Sequence, residues 1–139
     1  MIIAIDFDGT CVTHEYPRVG RDIGAAPVLR RIIRSGAKLI LWTMRGRSPD
    51  GETDYLQDAI DWFHRNEIPL WAVNSNPEQH SWTTSPKAYA DLYIDDAALG
   101  CPLIRPAPNS LERAYVDWKA VESTVFGPPT KKGALPSSQ

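Results

Sequence analysis

Four places in this chain carry side chains whose types suggest shared chemistry: Asp6-Phe7-Asp8-Gly9-Thr10, Thr43, Lys87 and Asp95-Asp96. Side chains at i and i+2 of a strand point the same way, so Asp6 and Asp8 can address one pocket from neighbouring levels. Carboxylates held close together repel one another and are costly to keep ionised without a cation. Mg²⁺, a hard ion that prefers oxygen ligands, answers that need. A threonine hydroxyl and a lysine ammonium beside such a metal complete a cradle for a phosphate dianion.

That grouping requires elements that end together. Ile2 to Phe7 is an apolar, β-branched run interrupted only by Ala4 and Asp6, the pattern of a strand buried on both faces. Helical spacing follows from about Ile23 to Ser35, with Pro27 near its start and Gly36 as a stop. Lys38 to Trp42 reads as a second strand. Thr53 or Asp54 caps a helix through about Arg65. Leu70 to Val73, Leu92 to Ile94 and Leu103-Ile104 read as further strands. A last helix is expected from Ser110 to about Ser123, with Leu111, Tyr115 and Trp118 in phase. Strands alternating with helices imply an α/β fold: a doubly wound, mostly parallel open sheet. Such sheets bind ligands outside the carboxyl ends of their strands. Asp6, Thr43 and Asp95-Asp96 all fall at strand ends of this kind, with Lys87 just before the fourth strand.

The ordered set is similar to the four motifs of the haloacid dehalogenase (HAD) superfamily. Asp6-Phe7-Asp8-Gly9-Thr10 resembles its DxDGT first motif. Thr43, after Leu39-Ile40-Leu41-Trp42, resembles the second; Lys87 the third; Asp95-Asp96, after Leu92-Tyr93-Ile94, the acidic fourth. The matches span residues 6 to 96. The resemblance implies a Mg²⁺-dependent phosphatase. Asp6 would be the nucleophile that forms an aspartyl-phosphate, and Asp8 the general acid and base. Mg²⁺ would sit on Asp6, the Asp8 carbonyl and Asp95, with Asp96 acting through a water or from behind. Thr10, Thr43, Arg45 and Lys87 are the expected substrate contacts, with Thr43 and Lys87 also serving catalysis.

Other polar residues remain open. Arg47 follows Arg45 in the same loop and is either a substrate contact or surface charge. His14, Asn74 and Asn76 lie in loops near the expected site; His14 reads as a loop-packing residue, with a substrate contact as the alternative. The windows Cys11 to Asp22 and Asn74 to Pro86 are too short to fold a cap domain. The chain thus resembles capless HAD enzymes, open to small or macromolecular phosphorylated substrates. The expected domain is 1–126, with a disordered tail at 127–139. Two rivals stand outside this reading: a phospho-acceptor domain, and a phosphate-binding domain without turnover.

Composition narrows the setting. The chain has 139 residues, 42% hydrophobic and 23% charged, which fits one domain. A net charge of −2 carries no strong nucleic-acid signature. Asp6 follows the opening apolar residues at once, so no signal peptide is expected. No apolar run approaches the roughly 20 residues needed to cross a bilayer. Two cysteines, Cys11 and Cys101, make no disulfide framework. The expectation is a cytoplasmic protein with no membrane partner.

Overall fold

The computed structural model describes residues 1–128. Of the expected tail, residues 129–139 lie outside the described residues. The chain forms, in order, β1 (Ile2–Ile5), α1 (Ala25–Arg34), β2 (Lys38–Leu41), α2 (Tyr55–Arg65), β3 (Ala72–Val73), β4 (Leu92–Ile94), β5 (Leu103–Ile104), β6 (Tyr115–Val116) and α3 (Trp118–Phe126). The first four strands make one parallel sheet in the order β3-β2-β1-β4, flanked by helices. This is the expected α/β architecture, Rossmann-like and open.

Alternation along the strands explains why the sheet is buried on both faces. Ile3, Ile5, Leu39 and Leu41 join the main core. Ala4 and Ile40 alternate with them, point to the other face, and are equally buried. β1 is an inner strand, and its pairing runs past its end: Trp42 N–H donates to Ile5 O at 2.8 Å and Asp6 N–H to Ile94 O at 3.0 Å. The end of the strand that carries Asp6 is therefore fixed from both sides.

The helices follow from local signals. Asp54 caps α2, its carboxylate accepting from Gln57 N–H. Trp62 and Phe63 of α2 pack on Phe7, with ring centroids 5.7 and 6.1 Å apart. Phe7 is wholly buried, which turns its neighbours Asp6 and Asp8 away from the core.

Two expectations need correction. Leu103-Ile104 is a strand, but it pairs antiparallel with β6 in a separate two-stranded sheet. The helix expected from Ser110 starts only at Trp118. Tyr115 and Val116, both strand formers, extend against β5, and Asp117 then caps α3 by accepting from Ala120 N–H. Leu111, expected on the apolar face of that helix, is fully exposed.

Candidate active site

The carboxyl ends of β1, β2 and β4 open into a cleft of about 520 Å³ lined by Asp6, Asp8, His14, Tyr16, Thr43, Met44, Arg45, Asp95, Asp96, Ala97 and Arg113. Asp6, Asp95 and Asp96 each place a carboxylate oxygen within 4.8 Å of the others. Three carboxylates grouped at one point would suit a divalent cation such as Mg²⁺, which takes oxygen ligands. The donors are all oxygen, as a hard cation requires.

The loop after β1 is held from several directions. Gly9 N–H donates to Val12 O, and Cys11 N–H to Phe7 O. The C-terminal segment grips the same loop: Val116 N–H donates to Gly9 O at 3.0 Å, and the Trp118 indole N–H to Thr10 O at 2.7 Å. Gly9 is required twice over. Its φ is +79°, and a Cβ there would lie 1.9 Å from the His14 imidazole. That ring in turn sits with Nε2 2.7 Å from an Asp96 oxygen.

Thr10 does not face the cleft as a substrate contact. It is wholly buried, and its hydroxyl lies 2.8 Å from Asp6 Oδ2 and 3.3 Å from Asp96 Oδ1 while accepting from Asp96 N–H. Thr10 therefore ties the nucleophile candidate to the acidic pair. Burial pushes the Asp6 carboxyl up to about 7, and the neighbouring Asp95 charge adds to the rise, against the Thr10 hydrogen bond. Asp95 is raised too, by its own desolvation first and then by Asp96. These are the repulsions a cation would offset. Cys11, buried beneath Asp6 with its thiol donating to Asp6 O, is pushed well up by burial, which suits a packing residue.

Asp8 and Arg45 form a separate unit. Arg45 Nε donates to one Asp8 oxygen and a terminal nitrogen to the other, both at 2.8 Å. The remaining donors go to Pro17 O, Tyr55 O and Arg18 O. All five guanidinium N–H groups are thus taken, and the side chain is wholly buried. Arg45, expected to meet substrate, has no donor left for it. Asp8, whose backbone carbonyl is the expected metal ligand, has its carboxylate on Arg45, apart from the carboxylate cluster of Asp6, Asp95 and Asp96.

Thr43 lines the cleft as expected. Its backbone N–H donates to Asn74 Oδ1 at 2.8 Å, and its hydroxyl accepts from Arg45 N–H. Asn74 takes a φ of +52°, which asparagine tolerates, and so links the ends of β2 and β3. Lys87 is not brought to the cleft. It is exposed, lines a different pocket with Trp82, Tyr89 and Tyr93, and its ammonium lies 5.7 Å from the Tyr93 ring centroid. Arg47 is exposed and pairs with Asp54. Asn76 is buried in its loop, donating to Tyr89 O.

His14 lines the cleft, and so do Tyr16, Met44 and Arg113, none of which the motifs mark. His14 follows Thr10 by four residues in one tight loop, a signal that its ring shares the site. Arg113 gave no signal, because the expected helix placed it elsewhere.

The fold and cleft define an α/β protein with a parallel sheet and three carboxylates gathered at its strand ends. No family model matches the chain, and no curated protein matches it. A solved structure of a conserved protein coded by a locus from Bacteroides thetaiotaomicron is 35% identical, with a TM-score of 0.67, covering 90% of this chain and 88% of that one. The chain belongs to the family of that conserved protein.

Proposed function

We propose that this protein is a Mg²⁺-dependent phosphomonoester hydrolase of the HAD type, working through an aspartyl-phosphate on Asp6. The observation that carries the reading is the position of Asp6: on an inner strand's carboxyl end, facing the cleft, hydrogen-bonded by buried Thr10, and grouped with Asp95 and Asp96.

An Asp6 oxygen attacks phosphorus and the bond to the leaving oxygen breaks. Asp8 gives that oxygen a proton. Water then attacks the phosphoryl group, Asp8 takes its proton, and the bond to Asp6 breaks, releasing inorganic phosphate. For this Asp8 must turn at least one oxygen away from Arg45. Thr43 donates its hydroxyl to a phosphoryl oxygen. Mg²⁺ held by Asp6, Asp95 and Asp96 would supply the charge that offsets carboxylate–phosphate repulsion. The partner in this reading is a phosphorylated substrate, and two free cysteines, one of them buried, fit a reducing, cytoplasmic setting.

Phosphate release from p-nitrophenyl phosphate, with and without Mg²⁺, tests the reading beside Asp6→Asn. The expected result is Mg²⁺-dependent release that falls at least about 10³-fold in the variant. Release that survives the substitution contradicts it.

Two observations favour a second reading, a phosphate-binding or phospho-acceptor domain without turnover. Both Asp8 oxygens are on Arg45, and Lys87 lies outside the cleft. That reading expects one phosphoryl group retained per chain and no continuing release.

A further inference from the structure

The floor and the mouth of the cleft differ in chemistry. The floor is acidic, with His14 and Arg45 each tied to one of its carboxylates. The mouth presents Tyr16, 57% exposed, Met44, fully exposed, and Arg113, also exposed. A single exposed apolar side chain is ordinary. Two that line one cleft above four aspartates are a rim.

Tyr16 is fixed in place. Its ring packs edge-on against Tyr55, with centroids 5.6 Å apart, and the buried Arg45 guanidinium lies 5.1 Å from its centroid. Met44 is a flexible thioether that adapts to what it meets and favours aromatic edges. Arg113 takes part in no ion pair among the described residues. A cleft of about 520 Å³ falls in the range of roughly 300–1,000 Å³ that holds drug-sized ligands. It has room for much more than a phosphate. The segments after β1 and β3 stay loops with one 3₁₀ turn, so contacts to the rest of the ligand must come from the rim.

We propose that Tyr16 and Met44 select phosphomonoesters whose leaving group is a flat aromatic ring, aryl or heteroaromatic, with Arg113 meeting the phosphoryl charge. This deepens the phosphatase reading and rests on it, because the phosphoryl group is taken to occupy the acidic floor.

The test measures binding of phenyl phosphate and ethyl phosphate to the full-length Asp6→Asn protein with Mg²⁺, by calorimetry. The expected result is about 3- to 10-fold tighter binding of the phenyl ester, the size of one aromatic contact. Tyr16→Leu and Met44→Ser each shrink that ratio. Met44 is fully exposed, so its substitution removes no packing. Arg113→Ala weakens both esters alike and leaves the ratio unchanged. Equal affinities, no binding of either ester, or a ratio untouched by both rim substitutions overturns the proposal. Hydrolysis by the unaltered protein separates the two claims. Equal kcat/KM for both esters leaves the phosphatase standing and removes the rim's selectivity. A persistent binding ratio without hydrolysis leaves the rim standing and removes the phosphatase.

Discussion

The loop after β1 and the loop before β4 both carry residues that the sequence assigns to one site, yet the structure treats them differently. Residues 6 to 14 are packed around the end of an inner strand. Thr10 is wholly buried, Gly9 leaves space for His14, and Trp118 and Val116 reach in from the far end of the chain. Residues 82 to 89 are mostly exposed, and Lys87 faces its own shallow pocket with Trp82 and Tyr89. A motif anchored inside an apolar strand inherits a position from the sheet. A lone lysine in a loop inherits none.

Gly9→Ala should produce the largest contrast. The positive φ alone costs on the order of 1–3 kcal/mol in a non-glycine residue. The added methyl also displaces the His14 ring from Asp96. The expected outcome in thermal unfolding is a Tm lower by at least about 5 °C, together with weakened Mg²⁺ stabilisation. An unchanged Tm breaks the claim that this loop is tightly packed.

A smaller effect concerns Asp6 itself. Folding raises its carboxyl from 3.8 to about 7, chiefly through burial. A carboxyl raised on folding favours the protonated folded state, so ionising it costs stability. That cost is absent below the unfolded pKa, grows between about 4 and 7, and is constant above. In the metal-free protein, Asp6→Asn should therefore raise the Tm at pH 8 by a few degrees and leave it nearly unchanged at pH 4. Stabilisation that is equal at both pH values contradicts the assigned burial cost.

Lys87→Ala should do least. With its ammonium outside the cleft, turnover should change by less than about 3-fold, well under the 10²–10⁴-fold typical of lost acid–base groups. A much larger fall would mean that the 82–89 loop closes on the cleft when substrate binds.

Much of this was legible in the residues because strand burial and helix capping are local. The apolar runs at Ile2, Lys38 and Leu92 locate β1, β2 and β4, and Asp54 marks the start of α2. Asp6, Asp95 and Asp96 could be expected together because parallel strands end on one side. What escaped was set by tertiary pairing. The stretch from Ser110 to Asp117 fits a helical pattern, but β5 captures Tyr115 and Val116. The engagement of Asp8 by Arg45 depends on three backbone carbonyls, two in the loop after β1 and one at the start of α2, which no spacing reveals.

The central claim is that Asp6 carries the phosphoryl group. A single turnover of phenyl phosphate in ¹⁸O-water, with protein in excess over substrate, tests it most directly. Water attacks phosphorus of the aspartyl-phosphate, so the label is expected in inorganic phosphate, and acid quenching partway should trap a phosphoryl group on the peptide containing Asp6. Release of labelled phosphate with no phosphorylated Asp6 peptide at any time point, and equal release by Asp6→Asn, would contradict it.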